Sequence, residues 1–192
     1  MAKYILPLLL ILCVPLMADE KKDKKKFEET KVRAVNGDAL SQLILGQMYI
    51  EGYGVLKDHK EAARWWIKAA EQGNALAQFS LAKKYQGGKG VLQDHKEAVR
   101  WYRKAAEQGY GPAQLDLGEM HHSGLGTLED YVTAYAWFNI AQANRGKRDV
   151  RALAKYRKNT IIRTMTAAQI ANAQELSKEM IKMNPKLIQK KD

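Results

Sequence analysis

An internal repeat constrains this chain more than any other feature. Gly54 to Gly73 reads GVLKDHKEAARWWIKAAEQG and Gly90 to Gly109 reads GVLQDHKEAVRWYRKAAEQG, sixteen of twenty residues being identical at an offset of 36. A further step of 36 reaches Gly126, where Asp130, Ala134, Trp137 and Ala141 fall in register with Asp58, Ala62, Trp65 and Ala69. A supersecondary unit recurring at this period buries its apolar face only against its neighbours, so the chain should build a solenoid.

Each unit reads as two helices. The second opens at Asp58, Asp94 or Asp130, whose carboxylate can accept from first-turn amides. Glu61 and Glu97 complete a capping-box pattern in the first two units. Ala62, Trp65 and Ala69 form an apolar stripe at helical spacing, and Gly73 and Gly109 end the helix through a left-handed residue. First helices are expected over residues 39–51, 75–86 and 111–122. In them Leu43, Phe79 and Leu115 coincide, as do Leu45, Leu81 and Leu117, and the small Gly46, Ala82 and Gly118 should admit a close partner, expected at Ala69, Ala105 and Ala141. The links GYGVLK, GKGVLQ and GLGTLE need glycine for their turns. No strand precedes them and they lack the lysine-serine pair of a phosphate loop.

The ends differ in kind. Lys3 is followed by an apolar run, Tyr4 to Met17, then Ala18 and the charged Asp19 and Glu20, the pattern of an export signal. Cleavage is expected after Ala18, with retention of the segment as an anchor left open. Cys13 follows Leu12, which is too large for a lipoprotein signal, and a chain cut at Ala18 would hold no cysteine and so no disulfide. The net charge of +11 suits nucleic acid, anionic lipid, polysaccharide or an acidic protein equally, and export disfavours the first. After Arg145 the period loosens. Val150, Leu153, Ala154 and Ile161 mark one amphipathic helix; Thr166 with Gln169 opens another, with Ile170, Ala173, Leu176 and Met180 inward.

The elements Ala77, Leu81, Tyr85, Gly88, Gly90, Val91, Asp94, Ala98, Trp101, Lys104, Ala105, Ala106 and Gly109, with their counterparts one period away, resemble the Sel1-like repeats, relatives of the tetratricopeptide repeats. The resemblance covers about Gly37 to Asn144, and Ala136–Trp137 and Met165–Ala171 are similar to the tail that often follows such repeats in bacterial proteins. Lys84 and His121 depart from it. It implies a right-handed superhelix serving as a protein-interaction scaffold, with the first helices on the concave side. Members of the family serve as periplasmic regulators, adaptor subunits and envelope-assembly factors.

The expected architecture is an all-α α-solenoid of about three 36-residue helix-turn-helix repeats with capping helices. Residues 1–18 form a cleavable signal peptide, 19–26 a charged spacer, 27–146 the repeats with an N-terminal cap helix, 147–184 C-terminal capping helices and 185–192 a basic tail. The chemical motifs are weak. Ser80 and Lys83 match S-x-x-K, the nucleophile motif of penicillin-recognising enzymes, but their setting is a repeat core without Ser-Asp-Asn or Lys-Thr-Gly. His121 and His122 diverge by about 100° on a helix, and His59 and His95 sit one unit apart, so no metal set forms. Trp65, Trp101 and Trp137 read as core, leaving Trp66 as the exposed-aromatic candidate. No catalytic residue and no cofactor is assigned. Partner binding is assigned to the first-helix registers whose residues vary, Gln47, Lys83 and Glu119 with Ile50, Gln86 and His122. The expected function is an exported periplasmic or secreted adaptor or regulator that binds an envelope protein, with a weak anionic lipid or glycan contact possible. A cell-wall-directed enzyme or β-lactam-binding protein is the alternative.

Overall fold

The computed structural model describes residues 5–144, 146 and 148–188, with side chains from residue 20 onward. The signal and cleavage expectations fall mainly on residues 1–4 and on side chains outside that description, as does the tail beyond residue 188. Among the described residues there are nine α-helices, two 3-10 turns and no strand. The helices are α1 (Ile5–Val35), α2 (Ala39–Glu51), α3 (His59–Glu71), α4 (Ala75–Gly87), α5 (His95–Glu107), α6 (Gly111–Ser123), α7 (Tyr131–Ala143), α8 (Arg148–Ile161) and α9 (Ala167–Met183). From α1 to α7 each helix packs chiefly on its neighbours in sequence, and α8 and α9 both close on α7. The chain is an all-α solenoid.

The second-helix caps form as the carboxylates dictate. Asp58 accepts from the amides of Lys60 and Glu61, Asp94 from those of Lys96 and Glu97, and Asp130 from that of Thr133. The reciprocal half of the capping box is absent at the first two sites. The amides of Asp58, Asp94 and Asp130 instead donate to the carbonyls of Tyr49, Tyr85 and His121, each at 2.9 Å, so each cap also ties its helix to the one before. Glu61 and Glu97, released from capping, pair with Arg64 and Arg100. The box at Thr166 and Gln169 is complete.

Helix α1 absorbs the charged run expected as a spacer. Its register explains why. Gly54 abuts the Asp23 carbonyl and Lys24 amide, while Gly90 and Gly126 abut the His59 and His95 carbonyls one and two periods later. These three glycines have φ of 68°, 86° and 73°, and a side chain there would be strained as well as blocked. At the other end Gln42 Nε2 donates to Ala34 O at 3.0 Å, Gln78 to Ala70 O at 3.0 Å and Gln114 to Ala106 O at 3.1 Å. From Asp23 to Val35, α1 therefore stands where α3 and α5 stand in their units. Packing on α2, including an edge-on contact of Phe27 with Tyr49, holds the lysine-rich turns helical.

The glycine pockets receive aromatic rings, not the expected alanines. A Cβ at Gly46 would collide with the Trp66 indole, and one at Gly118 would lie 2.6 Å from Phe138 Cε1. Trp66 is thus core, 3% exposed, with its Nε1 donating to Leu43 O at 3.1 Å. Trp65 is the half-buried member of the pair, its ring under the Lys68 ammonium at 4.4 Å. Adjacent helical residues diverge by about 100°, and a helix flanked on two sides can bury both. In the capping helices Ala154 and Ala173 face inward and Leu153 does not.

The segment after α9 turns back onto the repeats, against the expectation of a loose tail. Leu187 is 2% exposed and joins the main core. Its carbonyl accepts from Gln114 Nε2 at 2.7 Å, and Asn184 Nδ2 donates to Glu107 O at 2.8 Å.

His121 stands in the register of Tyr49 and Tyr85. It is buried, neither ring nitrogen has a partner in the protein, and burial, helped by the Arg103 charge, pulls its pKa below the usual value against the opposing pull of Asp130.

Two stability outcomes follow from these contacts. Gly118→Ala should lower unfolding free energy by about 1–3 kcal/mol through overpacking, whereas Gly87→Ala, with nothing within 4 Å of the new methyl, should raise it by about 0.5–1 kcal/mol through helix propensity; urea midpoints measure both. A histidine whose folded pKa is depressed contributes stability that is complete above the unfolded pKa of about 6.5 and is lost as pH falls toward the folded value. Urea titrations from pH 7.5 to 5 should show that loss in the parent chain and a flatter slope in His121→Tyr.

Candidate functional site

The face that the repeat leaves free belongs to the first helices. In register along it lie Leu40, Leu76 and Pro112, then Ile44, Ser80 and Asp116, then Gln47, Lys83 and Glu119. The side chains change character from front to back. Leu40, Ile44 and Leu76 are exposed apolar groups on α2 and α4. Between them a cavity of 480 Å³ opens, floored by Leu43, Ile44, Met48 and Leu76 and rimmed by Lys26, Gln47, Glu51 and Ser80. Lys26 reaches it from the charged run of α1, its ammonium 5.4 Å from the Tyr53 ring centroid.

The back of the same face is occupied by its own ion pairs. Lys83 Nζ lies 3.3 Å from Asp116 Oδ2, bridging α4 and α6, and Arg157 Nε of α8 lies 2.7 Å from Glu119 Oε1. Burial raises the pKa of both carboxylates, with the partner cations pulling the other way. The Tyr102 hydroxyl donates to Gln86 Oε1 at 2.8 Å and sits beside Asp116, and burial lifts its own pKa.

The six residues assigned from sequence therefore separate. Gln47 and Lys83 are exposed, the first donating to Glu51 Oε1 at 2.6 Å and the second held by Asp116. Glu119 joins its repeat to α8. Ile50 packs against the main core. Gln86 bridges Tyr102 and Met120 Sδ. His122 lies against the Tyr131 ring at 5.7 Å, close to Arg157 and Phe138. Of this set only Gln47 borders the cavity.

Leu40, Ile44, Leu76 and Lys26 were not singled out from sequence. A signal was present: Ile44 faces Ser80 and Asp116 in register, so one position runs from apolar to hydroxyl to acid along the array. Among the described residues no group of three or more histidine, cysteine or acidic side chains could hold a metal. No helix among them is long and apolar enough to cross a membrane. Ser80 borders the cavity, yet the ammonium of Lys83 is directed to Asp116.

Comparison with known proteins agrees with this architecture. The Sel1 repeat family matches residues 39–74, 75–110 and 111–141. Similar solved structures include a protective antigen of uropathogenic Escherichia coli at 38% identity and TM-score 0.75, covering 84% of this chain and 34% of that one. A Sel1 repeat protein from Oxalobacter formigenes shows 33% identity and TM-score 0.61, covering 68% of this chain and 98% of that one. Cysteine-rich protein B of Helicobacter pylori, at 22% identity and TM-score 0.55 over 68% of this chain and 96% of that one, shares the fold. The chain thus spans about a third of the E. coli antigen's length. No curated protein matches it in sequence. With three matched units stacked as consecutive helix pairs, the chain belongs to the Sel1 repeat family, whose fold usually mediates protein–protein interaction.

Proposed function

We propose that the protein is an exported, non-enzymatic adaptor or regulator of the cell envelope that binds a protein partner across its first-helix face, the concave side implied by its repeats. The cavity between α2 and α4 carries this reading, because apolar side chains remain exposed there around a concave space, next to polar groups that can orient a ligand. A partner segment with a large apolar residue would fill the floor of Leu43, Ile44, Met48 and Leu76. Lys26, Gln47 and Glu51 would then meet its polar flanks. Burying one such side chain contributes about 1.5–3 kcal/mol. No cofactor enters this binding.

The apolar start of the chain and Ala18 support export to the periplasm or beyond, and the likeness to a protective antigen of uropathogenic E. coli is consistent with that. The high positive charge supports a subsidiary contact with anionic lipid or glycan. One observation favours the alternative of a β-lactam-binding protein, namely Ser80 at the cavity rim. Fluorescent penicillin labelling that disappears in Ser80→Ala would replace the adaptor reading with that one.

A photocrosslinking residue at Gln47 in the native host should trap one enriched envelope protein. Its purified form should bind Ile44→Asp more than about tenfold more weakly than the parent, and should bind Leu153→Asp, altered on exposed α8, equally well. Calorimetry showing undiminished affinity for Ile44→Asp would remove the cavity from the interface.

A further inference from the structure

The three inter-helix links expose a leucine each. Leu56, Leu92 and Leu128 are 89%, 90% and 86% exposed, and they recur at the repeat period of 36 residues. A single exposed leucine is ordinary. Three in register, on links whose neighbouring glycines are fixed by backbone contact, form a row along one edge of the solenoid.

The same edge carries a second row. Each link rests on the start of the preceding second helix. Gly54 lies on Asp23 and Lys24, Gly90 on His59, and Gly126 on His95 and Lys96. The next positions in those helices are Lys24, Lys60 and Lys96, all exposed. Lys96 and Leu128 border one cleft of 390 Å³. By register, Leu56 with Lys24 and Leu92 with Lys60 hold the places that Leu128 and Lys96 hold in their unit. The carboxylates on this edge are partly engaged: Asp58, Asp94 and Asp130 accept first-turn amides, and Glu129 accepts the Tyr131 hydroxyl at 2.7 Å.

Helix α1 adds direction. Since it holds the second-helix place from Asp23 onward, its N-terminal continuation through Lys22 and Lys21 leaves the stack at this edge, where α3 and α5 have their caps. The apolar run Tyr4 to Met17 follows from there. A second copy of the chain would set these lysines against their own kind. An anionic bilayer satisfies both rows, with leucines entering the headgroup boundary and ammonium groups meeting lipid phosphates.

We infer that the link edge, formed by Leu56, Leu92 and Leu128 with Lys24, Lys60 and Lys96, docks on an anionic phospholipid surface. The edge then faces the bilayer whether the N-terminal segment is removed or kept, and the first-helix face stays open beside it. This deepens the lipid contact proposed above and rests on the exported reading for a bilayer within reach.

The test uses the full chain carrying Cys13→Ser, with an environment-sensitive label on Leu92→Cys or, at the opposite ends of the second helices, on Glu71→Cys. Vesicles contain phosphatidylglycerol and a lipid-borne quencher. Quenching at position 92 should exceed that at 71 by at least about twofold and vanish with neutral phosphatidylcholine. Lys60→Glu with Lys96→Glu should weaken vesicle binding more than about tenfold at low salt while leaving the helical dichroism unchanged. Equal quenching at both ends, equal binding to neutral vesicles, or indifference to the two charge reversals would overturn the inference. Retained capture of the Gln47-crosslinked partner would show that such a failure belongs to the lipid edge and not to the protein-binding face.

Discussion

The stack depends on a buried side-chain amide that recurs once per unit. Each second helix ends inside the array, where its last carbonyls have no helical partner. Gln42, Gln78 and Gln114 reach across to Ala34, Ala70 and Ala106. The glutamines are themselves held: Gln72 donates to Gln42 Oε1 at 2.8 Å, Gln108 to Gln78 Oε1 at 2.8 Å and Asn144 to Gln114 Oε1 at 3.1 Å. The carbonyls of Ala34, Ala70 and Ala106 also accept from the amides of Gly37, Gly73 and Gly109, so an apolar residue in place of a glutamine would remove the bond between helices and leave the turn bond, at about 0.5–1.5 kcal/mol. The alanines matter for the same reason, since only small side chains let the helices approach within reach of the amide. Small residue and amide act as one device that fixes spacing and register together.

Much of this fold was legible from periodicity. Caps at aspartate, stops at glycine and helix pairs of fixed length follow from local chemistry, and local chemistry repeats. The amide ladder was missed although Gln42, Gln78 and Gln114 also stand 36 apart, because a glutamine on a helix reads as surface until its neighbour is placed. Trp65 and Trp66 were exchanged for a related reason: both can be buried, and only the glycine opposite Trp66 decides. Leu187 depends on a contact with Gln114, 73 residues away, and no local pattern reports it.

The candidate site was legible in part. Variation at fixed register pointed to the first helices, which do carry the cavity. It could not separate residues free to meet a partner from those already meeting each other. Lys83 with Asp116 and Glu119 with Arg157 are ties between successive layers, and the two members of each come from different elements. The face therefore divides by electrostatics: an apolar front beside α1, and a back where half-buried carboxylates are held by their own cations.

The clasp at the chain's end sets a direction for growth. Solenoids lengthen by duplicating a unit. A unit inserted between α6 and α7 would carry Leu187 and Asn184 one layer away from Gln114 and Glu107, leaving the buried amide without the Leu187 carbonyl. Duplication ahead of α5 moves none of these partners relative to one another. Descendants of this chain can thus vary in the number of units on the side that holds the cavity, while the layers joined by the clasp keep their order.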